Sequence, residues 1–379
     1  MDSTPFLPPV FDAHVDSLQR AVDLDHDLGT LTPGHLDLVR GREGGLASVV
    51  FVSWVDPAYM AKGPGSARRR TDDLLDAYHA LVQNHPEQVR AVVDGGELDS
   101  AHDDGVIGAI AGIEGGHSIE ESLETLEHFH RRGVRMMTLV WNNHLSWVRS
   151  CQSGAGLEIP DGLSPFGRDV VLRMNELGMV VDVSHASERS FYDTLEVSSS
   201  PIVASHSGCA AIHPHVRNLT DVQLRDLASA GGVVGIVFCT PFLDAEAGAL
   251  ERSERESETY RSLSHDNETG LFHLQADHLQ ATLPPLGLDR VVDHVLHAVE
   301  VCGIRHVGVG SDFDGIQRRP EGLEDASCYG HLAQALLHRG LDEDDVCAVM
   351  GGNMARVFRT VTACSPQSYS PQRSSQTSE

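Results

Sequence analysis

Residues 166–185 read "FGRDVVLRMNELGMVVDVSH", and how this stretch divides decides the fold. Its first part places apolar residues at helical intervals and stops at Gly178, as helix C-termini often do. Its second part, Met179–His185, is an apolar, β-branched run closed by a histidine. The same alternation recurs along the chain. Strand-like segments also occur at Val10–Asp16, Leu46–Ser53, Val106–Gly116, Val134–Trp141, Pro201–Ser207, Gly232–Cys239 and His306–Gly315. Between most of them lie helix-period stretches such as "RRTDDLLDAYHALVQ", "IEESLETLEHFHRRG", "TDVQLRDLASAG" and "DRVVDHVLHAVEVCG". Strands alternating with helices imply a parallel sheet, and eight such units predict an α/β fold of the (β/α)8 TIM-barrel type.

A chain of 379 residues, 41% of them hydrophobic, holds two domains or one large barrel. The βα rhythm assigns residues 1–362 to a single barrel domain. The acidic connection 240–288, before the last βα unit, is too long for an ordinary loop. Extra helices that cover the strand ends are expected there. Residues 363–379, rich in Ser, Gln and Pro, are expected to form a disordered tail.

Composition narrows the chemistry. No apolar run reaches the length of about 18 residues that a transmembrane helix needs. The opening "MDSTPFLPPVFDAHVD" lacks the basic-then-apolar pattern of a secretory signal. Seven scattered cysteines without CxxC fit reduced thiols, so a cytoplasmic location is expected. A net charge of −27 argues against nucleic acid and anionic membranes as partners. Lys62 is the only lysine, in the loop-like "AKGPGS". That excludes a P-loop GK[ST] and leaves no lysine placed to form a Schiff base or to bridge metals as a carbamate.

Polar residues collect at one end of the strands. His14 and Asp16 close the first, Glu114 the third, His185 the fifth, His206 the sixth and Asp312 the eighth. Barrel active sites form at the C-terminal strand ends, so these groups would converge although they are remote in sequence. Imidazoles and carboxylates together suit zinc or a similar borderline divalent cation. Six such groups exceed one tetrahedral site, and two metals about 3.5–4 Å apart would use them, with a shared carboxylate and a bridging hydroxide. Glu114, lying between the other ligands in strand order, is the best bridge. The glycines after it in "IEGGHS" would let the backbone approach the metals. His294 and His297 form an HxxH read as packing or solvent-facing, and His117, His128, His130, His213 and His215 are read as bystanders or supporting groups. Neither G-x-S-x-G nor HExxH occurs.

The blocks "FDAHVDSL", "GIEGGHSIE", "GLSPFGRDVVLRMNELGMVVDVSHAS", "PIVASHS", "VRNLTD", "HVGVGSDFDG", "RPEGLED" and "GGNMARVF" run in order through nearly the whole chain. They resemble the membrane (renal) dipeptidase family of zinc peptidases, in the amidohydrolase superfamily. The resemblance implies two zinc ions per chain: one on His14 and Asp16, the other on His185 and His206, with Glu114 bridging. It makes Asp312 the general acid/base beside the bridging hydroxide, and Arg217 of "VRN" the holder of the substrate's terminal carboxylate. It implies hydrolysis of dipeptides, L,D as well as L,L, by a homodimer. Renal members carry a histidine after "TLT"; here the segment is "TLVWNNH", so Trp141 stands there and His144 follows as a group that could reach the same space. That departure keeps open an alternative substrate on the same fold: a different amide, a β-lactam, a lactone or a biosynthetic conjugate. With neither signal nor anchor pattern, the chain resembles a soluble, bacterial-type member.

Overall fold

In the computed structural model, which describes residues 6–154, 159 and 161–363, nine strands form one parallel sheet. They are β1 (Val10–Val15), β2 (Leu46–Trp54), β3 (Val89–Ala91), β4 (Ile107–Glu114), β5 (Val134–Thr138), β6 (Val180–Asp182), β7 (Val203–Ser207), β8 (Val233–Ile236) and β9 (Val307–Val309). β2 pairs with both β1 and β4, and β9 returns to β1. The ring β1-β2-β4-β5-β6-β7-β8-β9 is therefore a closed eight-stranded barrel, and helices surround it. β3 lies outside the ring. It pairs with β4 at Ile107–Ala109, before β5 takes over the same edge from Ala111. Three residues are too few to leave a periodic signal, and the sequence does not announce β3.

Side-chain alternation divides the barrel into two apolar clusters. Phe11, Ala13, Val50, Val52, Ile110, Met136, Val180, Val203 and Val233 fill its interior, where Met354, Val357 and Phe358 of the helix Asn353–Thr362 plug one end. Residues of opposite parity, such as Val49, Phe51, Val181 and Val234, pack outward against the helices. Burial on both faces is why these strands read as continuous apolar runs rather than as alternating patterns.

Several strands are shorter than the apolar runs that predict them. Met179–His185 yields only Val180–Asp182, and His306–Gly315 only Val307–Val309. Past each strand the chain stays buried but turns, with φ +67° at His185 and +61° at Asp312. The segment after β9 is tied to β1 by Asp312 N–H to His14 O at 3.0 Å and Asp16 N–H to Phe313 O at 2.9 Å. The connection 240–288 contains the helices Thr240–Leu243, Ala245–Arg255, Glu258–Ser262 and Glu268–Thr282. It is bonded to the loops after β1, β7 and β9, through Thr269 to Asp23, Asn218 to Phe242 and Tyr260 to Gln317. The tail expected at 363–379 lies, after Ala363, outside the described residues.

One buried carboxylate holds three strands in register. Asp182 Oδ1 accepts from the backbone N–H of Ser184 and Ser205, both at 2.9 Å. Its Oδ2 accepts from Thr138 Oγ1 at 2.5 Å and Ser205 Oγ at 2.6 Å. Asp182→Leu would leave two buried N–H groups unpaired at about 1–3 kcal/mol each. A loss of about 2–6 kcal/mol is therefore expected in urea unfolding; an unchanged midpoint would show that these bonds do not hold the barrel.

Candidate metal centre

Two of the predicted ligands sit where strand pairing slips. Phe11 and Ala13 belong to the interior, and β1 loses register against β2 between Asp12 and Val15, which brings His14 round to the mouth. β7 slips likewise against β8 between Ala204 and Ser207, around His206. Such irregularities re-aim a side chain at a barrel rim. Glu114, by contrast, ends β4 in regular alternation from Ile110.

These residues meet. Glu114 Oε1 lies 3.0 Å from His185 Nε2 and 3.4 Å from His206 Nε2, while Oε2 faces His14 Nε2 at 3.7 Å. His14 Nε2 is 3.5 Å from Asp16 Oδ2. The two groups of possible metal-binding atoms, His14–Glu114–His206 and His14–Asp16–Asp312, each gather within 4.8 Å. Gly315 is needed for the second: a Cβ there would stand 2.2 Å from Asp16 Oδ2 and 2.4 Å from Asp312 Oδ1.

The hydrogen bonds fix which ring nitrogens are free. Asn142 Oδ1 accepts from His185 Nδ1–H at 2.9 Å and from Gln152 at 3.0 Å. Ser205 Oγ donates to Asp182 and so accepts from His206 Nδ1–H at 2.8 Å. Both Nε2 atoms therefore carry lone pairs, yet they lie 3.0 Å apart and both face Glu114 Oε1. Three lone pairs converging at that range repel unless a cation sits among them. His14 Nε2 and Asp16 Oδ1 are likewise buried without a hydrogen-bond partner among the described residues. The donor set fits divalent metal, each imidazole held by its far nitrogen as metal-binding histidines are.

Protonation follows burial and neighbours. Burial, with Arg217 adding to it, pulls His185 down to about 4, and burial with His14 holds His206 well below the ordinary imidazole value. Burial also acts on His14, but Glu114 and Asp16 outweigh it and push that imidazole well up. Burial lifts Asp16 to about 6, and with Asp16 and Glu114 close by it lifts Asp312 well above the carboxylate range. Glu114 goes the other way: burial opposes its charge, but His14 overcomes that and holds it well below the usual value.

Arg217 is buried behind this cluster. Its Nη2 donates to His206 O at 3.0 Å, while its Nε has no hydrogen-bond partner among the described residues. With Cys151, His185, Ser207 and Gln223 it lines a cavity of about 360 Å³. Trp141 packs on His185 with ring centroids 6.2 Å apart. His144 Nδ1 accepts from Ser150 N–H at 3.3 Å, and Ser150 bridges to Ala186 beside His185.

Several of the other histidines have partners of their own. His294 is buried against Cys209 N–H and Leu243 O, His297 pairs with Asp221, and His128 pairs with Asp72. His117 bonds Val55 O, and His215 stacks on Phe242. The glycines after Glu114 leave space that neighbouring side chains fill. A Cβ on Gly115 would strike the His117 ring and one on Gly116 the Trp147 ring, so they make room for side chains. A further grouping, His35–His273–Asp314, lies among Arg20 and Arg319, whose charges disfavour a cation.

The sequence reading missed Asn142, Asp182 and Ser205, and no spacing signal marks them. Asn142→Ala should weaken divalent-cation affinity about 10–100-fold. Competition with a chromophoric chelator measures this, and unaltered affinity would mean that His185 is held without the amide.

Comparison with known proteins agrees with this geometry. The family model described as membrane dipeptidase (peptidase family M19) matches residues 7–372. A relative called dipeptidase tcpJ, from Claviceps purpurea (strain 20.1), is 33% identical over 338 residues, covering 86% of this chain and 69% of its own. Among solved structures, a metallo peptidase from Rhodobacter sphaeroides, liganded with a phosphinate mimic of the dipeptide L-Ala-D-Ala, is 27% identical with a TM-score of 0.77, over 94% of this chain and 100% of its own. The dipeptidase AC, a metallo peptidase of the same family, is 26% identical with a TM-score of 0.76, over 94% and 99%. This chain belongs to the membrane dipeptidase family, and it is a dipeptidase-type metallohydrolase.

Proposed function

We propose that the protein hydrolyses dipeptides, L,D as well as L,L, at a centre of two zinc ions. The observation that carries this reading is the division of Glu114: one oxygen faces His185 and His206, the other faces His14. His14 and Asp16 would hold one ion, His185 and His206 the second, and Glu114 both. Such a pair, when bound, supplies an acidified water and a Lewis acid for the scissile carbonyl.

The chain's own groups do the rest. Asp312, whose carboxylate oxygen gathers within 4.8 Å of the donor atoms of His14 and Asp16, in its ionised form takes the proton of the attacking water and returns it to the departing amine. Arg217 binds the substrate's free carboxylate; its guanidinium offers a fork that a carboxylate fills. A fixed cation beside the cluster would select dipeptides, because longer peptides carry no carboxylate there. The Rhodobacter sphaeroides neighbour was solved with an L-Ala-D-Ala mimic, which supports D-residues at the second position.

Purified protein should contain two zinc ions per chain and lose dipeptide hydrolysis on chelation, with zinc restoring it. Asp312→Asn should lower kcat by about 10²–10⁴-fold while the zinc content stays unchanged. Turnover unimpaired after thorough chelation would overturn the reading. So would a panel of dipeptides, lactones, β-lactams and acylated amino acids in which dipeptides are the poorest class.

A further inference from the structure

Across the mouth from Arg217 stands an aromatic wall that the metal chemistry does not use. Trp54, the last residue of β2, pairs in register with Glu114. Its ring meets that of Trp141 edge to face, centroids 5.1 Å apart, and Trp141 in turn lies 6.2 Å from His185. Both indoles are only partly buried. Met60, 49% exposed, reaches the same loop, where its sulfur accepts from Asn143 Nδ2 at 3.8 Å. Two buried polar atoms on these segments, Trp54 Nε1 and Asn143 Oδ1, have no partner among the described residues.

Strand order places this wall relative to the substrate. In the ring β1-β2-β4-β5-β6-β7-β8-β9, β2 and β7 stand opposite each other. Arg217 follows β7, Trp54 ends β2, and the donors of the metal centre lie between them. A dipeptide with its carboxylate on Arg217 and its carbonyl at the centre must carry its N-terminal residue towards Trp54 and Trp141. This step rests on the function proposed above.

We infer that Trp54 and Trp141 form the subsite for the side chain of the N-terminal residue, and that the enzyme selects dipeptides in which that residue is bulky and apolar or aromatic. Partly exposed indoles gain from a partner that completes their burial, and aromatic partners add edge-to-face or offset stacking. The polarisable Met60 thioether can adapt to the shape of the side chain. A small N-terminal residue would leave both rings wet.

The test compares kcat/KM for Phe-Gly, Leu-Gly and Ala-Gly in the zinc-loaded protein and in Trp141→Ala and Trp141→Phe. The native protein should favour Phe-Gly over Ala-Gly by about tenfold or more, the range one apolar pocket supplies. In Trp141→Ala that ratio should fall towards unity, through KM rather than kcat, and Trp141→Phe should restore much of it. Because the test reads a ratio, a general loss of activity does not imitate the effect; zinc content checks that His185 remains in place. Equal rates on Phe-Gly and Ala-Gly in the native protein, or an unchanged ratio in Trp141→Ala, overturn the inference alone. Absence of turnover on every dipeptide overturns it together with the function it rests on.

Discussion

The mouth of the barrel is organised around one electrostatic conflict. His185 Nε2, His206 Nε2 and Glu114 Oε1 all present lone pairs to one another within 3.0–3.4 Å. Below them the barrel interior is apolar, so water does little to soften the repulsion. Nothing in the rings themselves would keep them there. They are kept by bonds at their far nitrogens, to Asn142 for His185 and to Ser205 for His206, and Ser205 is set by Asp182. Asp12 serves the first strand in the same way. Its Oδ1 accepts from His14 N–H at 3.1 Å and Ser311 N–H at 3.0 Å, and Tyr329 O–H donates to its Oδ2. The fold thus places carboxylates one layer beneath the candidate metal donors, and those carboxylates are satisfied by backbone N–H and hydroxyl groups.

What the sequence discloses follows from the same arrangement. Buried strands must be continuously apolar, so eight of them were legible, and a polar residue ending such a run had to be there for a reason. His14, Asp16, Glu114, His185, His206 and Asp312 announce themselves by that contrast alone. Asn142, Asp182 and Ser205 do not, because each sits among other polar residues or inside a strand and acts through a contact between distant segments. Backbone irregularity was equally silent. The register slips beside His14 and His206, and the left-handed conformations of His185 and Asp312, come from tertiary bonds such as Asp312 N–H to His14 O. Local propensity would have opposed them. The glycines of "IEGGHS" show the same limit: their need for space was legible, but not that His117 and Trp147 would occupy it.

Selectivity and metal geometry are joined through two consecutive residues. The Trp141 ring lies tilted beside that of His185, and Asn142 holds the same imidazole by its Nδ1. The loop after β5 therefore cannot move as a whole without turning the His185 imidazole, so changes of backbone or loop length there would disturb the candidate metal centre first. The side chain at 141 is freer, because its contact with His185 is apolar and non-directional, whereas the amide bond at 142 is directional. On this reasoning the substrate range of such a barrel is adjusted by exchanging residue 141 on a fixed loop. The strand-borne donors and the amide at 142 hold the chemistry constant beneath it.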